Sequence, residues 1–161
     1  MDRARLGTFP AIVAGALFPL LALAQEHREP LVGTWLLDVA KSTFMPPVPG
    51  PKGQMRTYTF ANGEEKMTSR GISGEGKPTF VHYQARYDGN DYDMVGSLGG
   101  NKISLKHIDR LTTEITQKRD GKPAIVATRH VSQDEKTLTV VTKGTLPDGR
   151  MLDSVMVFHR N

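Results

Sequence analysis

The chain has 161 residues, 24% of them charged, a formal net charge of +4 and no cysteine. Without cysteine there is no disulfide staple, no thiolate nucleophile and no thiolate metal site. The mild positive charge is scattered along the chain and not gathered into a basic arm, so no nucleic-acid partner is expected.

From the N-terminus, Met1 to Arg5 carries Arg3 and Arg5, and an apolar stretch follows from Leu6 to about Leu23, interrupted by Pro10 and Pro19. It ends in Ala22-Leu23-Ala24, just before polar Gln25-Glu26. Positive residues, an apolar run and a small-x-small site form the order of a secretory signal peptide, with cleavage expected after Ala24. A membrane anchor is the alternative, since the stretch is near the lower length of a span; the prolines and the Ala-Leu-Ala site favour cleavage. Removal of residues 1–24 leaves 137 residues, one domain's worth. It takes two bases and one acid (Arg3, Arg5, Asp2) from the net charge of +4, leaving +3. No later segment is apolar enough to span a bilayer. None of Asn62, Asn90, Asn101 and Asn161 begins a glycosylation site. With the missing cysteines, this fits a bacterial periplasmic or secreted protein.

Residues 25–30 read as a mobile tail, and the first strand as about Val32 to Asp38. Residues 41–53 form a proline-rich loop: Pro46, Pro47, Pro49 and Pro51 forbid both helix and ladder. From there short runs rich in Thr, Val, Tyr, Phe and Ile alternate with turn residues. Strands are expected near 54–61, 65–72, 78–87, 91–96, 102–109, 112–119, 123–132, 137–143 and 151–159. The turns are explicit, among them Asn62-Gly63, Asp88-Gly89-Asn90, Asp120-Gly121 and Asp148-Gly149, pairs that tolerate the positive φ of tight hairpins. Gly76-Lys77-Pro78 and Gly121-Lys122-Pro123 each open a strand that carries an arginine, Arg86 or Arg129.

Short links leave no room for the crossovers of parallel pairing. The chain is therefore all-β, an antiparallel up-and-down meander of about ten strands. Closing it into a barrel removes the edges and leaves an interior that can hold one small ligand. A two-sheet sandwich is the alternative.

Alternation places Val81, Tyr83, Ala85 and Tyr87 on one face, and Ile103, Leu105 and His107 on one face of another strand. Later strands put Ile115 with Gln117, Val126 with Thr128, Leu138 with Val140 and Thr142, and Met156 with Phe158. The inner face is thus apolar with scattered polar groups. These either satisfy one another and water or meet a ligand's polar atoms. Tyr83, His107, Gln117 and Val140 are the candidate ligand-binding residues.

Gly33-Thr34-Trp35 resembles the Gly-x-Trp signature of lipocalins and related barrels, the calycins. The resemblance implies that Trp35 closes one barrel end beneath Arg160, with a cation–π contact between them. The stretches 131–139 and 155–160 look like the last strands of fatty-acid-binding barrels, and the whole chain from residue 25 is similar in style to small exported bacterial lipocalin-like proteins. Two departures stand out. The proline loop replaces the two-helix lid of the fatty-acid-binding proteins, and Phe158-His159-Arg160 lacks their carboxylate-binding Arg-x-Tyr.

No catalytic constellation emerges. The five histidines (27, 82, 107, 130, 159) show no ligand spacing, so no metal is expected. Asp88-Gly89-Asn90-Asp91-Tyr92-Asp93 lacks the pattern of a calcium loop and reads as a hairpin turn. Ser104, Ser132 and Ser154 have no nucleophile motif, and Glu64-Glu65 lies beside a turn, where exposure is the default. No cofactor is implied. The expected function is an exported lipocalin-like barrel that binds a small, partly apolar ligand. The rivals are an interaction or stress protein with a packed core, and a barrel enzyme using His107 or a buried tyrosine.

Overall fold

In the computed structural model, residues 29–45 and 49–161 are described. The expected leader, 1–24, lies outside the described residues, as does most of the tail. Ten strands follow in order: β1 (Gly33–Phe44), β2 (Gly53–Ala61), β3 (Glu64–Ile72), β4 (Pro78–Ala85), β5 (Tyr92–Val95), β6 (Lys102–His107), β7 (Thr112–Arg119), β8 (Lys122–Val131), β9 (Thr137–Thr145) and β10 (Met151–Arg160). Each pairs antiparallel with its sequence neighbours, and β1 pairs with β10, closing the sheet into a barrel. The expected up-and-down barrel is the fold, and the sandwich is excluded.

Turn chemistry drives this order. Asn62 (φ 55) and Gly63 (φ 76) both sit in the left-handed region, as do Asp120 (φ 51) and Gly121 (φ 74). That geometry matches the twist of the flanking strands and fixes the β2–β3 and β7–β8 hairpins. Asp88-Gly89-Asn90-Asp91-Tyr92-Asp93 is the expected turn. Asp88 accepts bonds from the Asn90 backbone N–H and the Tyr92 hydroxyl, while Asp91 and Asp93 pair with Lys118 and Lys102.

The two ends of the barrel differ. One end holds Gly33, the β2–β3, β4–β5, β6–β7 and β8–β9 links, and Arg160. There Trp35, Tyr58, Met67, Tyr83, Leu105, Leu138 and Phe158 are buried together, capped by Leu31, Leu111 and Val131. The segment before β1 is part of this cap: Pro30 and Leu31 are buried, and the Val32 N–H donates to the Glu29 carbonyl.

At the other end β1 and β2 separate. Their ladder runs only from Gly33↔Tyr58 to Leu36↔Met55. Beyond it β1 stays with β10 as far as Phe44↔Ser154, through an irregularity between Asp38 and Thr43, and β2 stays with β3 down to Gly53↔Ile72. The irregularity is a side-chain-stitched bulge, the kind of feature that bends a strand. Ser42 donates to the Asp38 carbonyl and accepts from the Val157 N–H. As a result residues 41–44, assigned above to the proline loop, are strand.

Candidate functional site

The closed end contains a buried ion pair between Arg129 and Glu65, the latter expected from its place beside a turn to be exposed. Glu65 is 2% exposed and Arg129 1%, so exposure was the wrong default for Glu65. It faces inward beside Met67 and Ser69 on β3, whereas Glu64 points out and pairs with Arg86 at 3.0 Å. The inner face of β8 is likewise Ile125, Ala127, Arg129 and Val131, which corrects the assignment of Val126 and Thr128 to the interior; both are exposed. Ile125 opposes Gln117 and Ala127 opposes Ile115 across the β7 ladder, and that register fixes the parity.

Arg129 grips Glu65 through both nitrogens, at 2.9 and 2.8 Å. The Tyr83 hydroxyl donates to Glu65 Oε1 at 2.6 Å and accepts from Arg129 at 3.2 Å. The Tyr87 hydroxyl donates to Glu65 Oε2 and accepts from Arg129 at 3.1 Å. The guanidinium also lies 5.0 Å from the Tyr58 ring centroid. Among the described residues no buried side-chain nitrogen or oxygen lacks a partner, so this network is closed on itself, the condition under which a buried charge pair is tolerable. Burial works against the Arg129 charge, but Glu65 and the surrounding phenols outweigh it and hold its pKa above the usual value. Burial first, and then the Glu65 charge, raises Tyr83. Tyr87 is raised by burial as well, with Glu65 adding to the shift and Arg129 opposing it. Neither phenol gives up its proton near neutral pH, which weighs against either as a catalytic base.

The end is sealed around this network. The Trp35 indole N–H donates to the Leu31 carbonyl at 2.8 Å, and the Arg160 guanidinium sits 4.2 Å above the indole. Arg160 also donates to the carbonyls of Pro30, Val32 and Glu135. Gly33 is required here, since a Cβ at its φ of +140° would meet the Arg160 Nη1 at 2.6 Å. A void of about 10 Å³ remains between Leu31, Tyr87, His107, Leu111 and Arg129, room for about one water at most.

The four candidate ligand-binding residues do not converge. Tyr83 belongs to the Glu65 network. Val140 is core at 3% exposure. His107 is exposed and stacks on the Tyr87 ring at 3.7 Å, at the rim of the closed end. Gln117 is half-buried towards the opposite end, accepting from the Ser97 hydroxyl at 2.6 Å.

The larger opening lies where β1 and β2 part. It is a groove of about 430 Å³ lined by Leu36, Leu37, Gln54, Met55 and Ile72, with Lys52 and Arg70 at its sides and no acidic residue in its walls. Gly53 and Gly71 contribute no side chain to it. Inward-facing residues at this end, Leu37, Gln54, Arg56, Val81 and Met156, are only half-buried, unlike their counterparts around Trp35. Proline at 46, 47, 49 and 51 was the sequence signal for an interrupted sheet here; the groove itself depends on where the β1–β2 ladder stops. Among the described residues no group of three or more His, Asp or Glu could hold a metal, and no helix is long and apolar enough to cross a membrane.

No known family model matches the sequence, and no curated protein matches it. A solved structure does match: the zebrafish ileal bile acid-binding protein complexed with cholic acid, with a TM-score of 0.53 and 13% identity, covering 82% of this chain and 99% of that one. The chain shares the closed antiparallel barrel fold of that protein. At that identity the likeness establishes architecture, and it agrees with the closed ten-strand sheet and with the Gly-x-Trp end.

Proposed function

We propose that this chain is an exported calycin-type barrel that holds a small, partly apolar molecule at its open end. The observation that carries this is the 430 Å³ groove between β1 and β2, walled mainly by apolar side chains, a size and character usual for small-molecule sites. The fold neighbour, a bile acid-binding protein solved with cholic acid, supports the same role by analogy of fold alone. Export to the periplasm or medium rests on the residue order of positions 1–24 and on the absence of cysteine.

Native mass spectrometry of the protein recovered gently from the producing cells, followed by denaturing extraction, tests both parts. A reproducible non-covalent adduct on a chain that begins at Gln25 is expected. A bare mass and an intact leader would overturn the proposal. A packed-core protein acting through its surface is the second reading, favoured by Phe80, Val95 and Val126, all more than a third exposed on the outer face and outside the groove. A bare mass on a chain starting at Gln25 would select it.

A further inference from the structure

Ladder partners share a face, so the register of β1 to β4 sorts the outer wall of the barrel into rows. Towards the closed end these rows are polar. One is Thr34, Thr57, Thr68 and His82, and another is Thr59, Lys66 and Gln84. One step towards the open end the character changes. The row there is Leu36, Met55, Arg70 and Phe80, and Ile72 stands beyond Arg70 on β3. Leu36, Met55, Ile72 and Phe80 are each 40–47% exposed. At the usual strand spacing, four such neighbours make a band about 14 Å long. Apolar side chains scattered singly over a surface are ordinary, whereas a contiguous band marks a contact.

The charges at this band are of one sign. Lys52 and Arg70 lie beside Leu36, Met55 and Ile72, and no acidic residue joins them. Neither meets a carboxylate among the described residues, whereas Arg86, Lys102, Lys118 and Lys143 elsewhere on the wall each do. The Arg70 guanidinium lies 5.6 Å from the Phe80 ring centroid, which keeps charge and ring together. Asp38, two positions past Leu36 on β1, is engaged by His159 and Lys41. A second copy of the chain would set these cations against their own kind. A convex wall that carries apolar side chains and cations in one band instead matches a surface with negative charge immediately over hydrocarbon.

We propose that this band docks the barrel onto an anionic lipid bilayer. Leu36, Met55, Ile72 and Phe80 enter the boundary beneath the headgroups, and Lys52 and Arg70 meet lipid phosphates. The apolar part of such binding scales with buried area, and the charged part is screened by salt. This goes beyond the ligand-binding function proposed above and does not rest on it.

Sedimentation with lipid vesicles tests it on the protein recovered from the producing cells. Vesicles of phosphatidylglycerol should carry the protein down and vesicles of phosphatidylcholine should not, and high salt should weaken the binding. Lys52→Gln with Arg70→Gln should lower the partition constant by roughly tenfold or more, since each cation near an anionic surface is worth about a factor of five. Leu36→Ser with Phe80→Ser should lower it by a similar factor with the charge unchanged. Lys122→Gln with Lys136→Gln removes the same charge from exposed positions outside the band and should leave most of the binding. Circular dichroism of each variant confirms the barrel. Equal binding to both lipids, or equal loss from the two charge-removing pairs, would overturn the inference. So would a folded monomer that binds no vesicle, which leaves the band to a protein partner, or a dimer lost on Phe80→Ser, which assigns it to a second copy. Calorimetry with dodecanoate below its micelle concentration, without vesicles, reads the ligand-binding function separately, so either can fail while the other stands.

Discussion

The two ends of this barrel use the same residue types to opposite effect. At the closed end an arginine, a glutamate and two tyrosines face inward and satisfy one another completely, and Trp35 and Arg160 seal the surface above them. At the open end an arginine also faces inward, but its neighbours are Gln54, Met156 and Phe158, and the wall beside it is parted. A charge enclosed with its counter-charge acts as structure. A charge left with spare donors beside an apolar groove keeps bonding capacity that the described residues do not use. The difference is one inward carboxylate: Glu65 pairs with Arg129 at the closed end, and no described carboxylate pairs with Arg56.

The sharpest way to break this contrast is at Glu65. Glu65→Ala leaves Arg129 buried without its counter-charge and should destabilise the fold by about 3–5 kcal/mol, read from urea unfolding. Joint replacement by Glu65→Leu, Arg129→Met, Tyr83→Phe and Tyr87→Phe should recover most of that loss, since a buried polar network can be exchanged for apolar side chains of similar volume only when no hydroxyl is left unpaired. A mild single-mutant effect would mean the pair is not a structural element.

Next in size is a change confined to the groove. Leu37→Trp places an indole in the gap between β1 and β2 and should abolish dodecanoate binding in calorimetry. Its stability cost should stay within the roughly 1–3 kcal/mol usual for overpacking. Unaltered affinity would place the binding site elsewhere.

A smaller effect separates the two arginines. Arg56→Gln should change stability by less than about 1 kcal/mol, as for other substitutions outside a buried network, whereas Arg129→Gln should cost several-fold more in the same urea experiment. Similar costs would erase the distinction between a guanidinium paired with a carboxylate and one without.

The smallest concerns Asp38, which helps hold the β1 bulge. Its hydrogen bond to His159, at 2.9 Å, lowers its pKa, helped by the Lys41 backbone N–H and ammonium. A carboxylate with a depressed folded-state pKa stabilises the fold above its unfolded value, near 3.8, and the benefit fades as the pH falls through the folded value. Melting temperature should therefore drop slightly more steeply in acid for the parent than for Asp38→Asn; the group is only half-buried, so the gap is small.

Much of the barrel was legible because its signals are local. Asn62-Gly63 and Asp120-Gly121 announce hairpins whatever the rest of the chain does, and Gly33-Thr34-Trp35 marks a first strand. The site was far less legible. Glu65 and Arg129 stand 64 positions apart, and each alone reads as a solvated charge; only their shared inward parity reveals the pair. The signal existed in part, since Arg129 alternates with Ile125, Ala127 and Val131 on β8, but choosing that face means accepting a buried charge before its partner is known. Arg56 is similar: its setting depends on where the β1–β2 ladder stops and on what does not lie nearby, and neither is written in a motif. His107 shows the converse. It alternates correctly with Ile103 and Leu105, yet it is the last residue of β6 and so stands at the rim.

The most direct test of the two-ended barrel is a nitrogen–proton NMR titration of the protein with dodecanoate. A two-ended barrel predicts shifts concentrated at Leu37, Gln54, Arg56 and Met156, with Glu65, Tyr83, Tyr87 and Arg129 unmoved. Shifts centred on the Glu65–Arg129 network, with the groove between β1 and β2 silent, would contradict it.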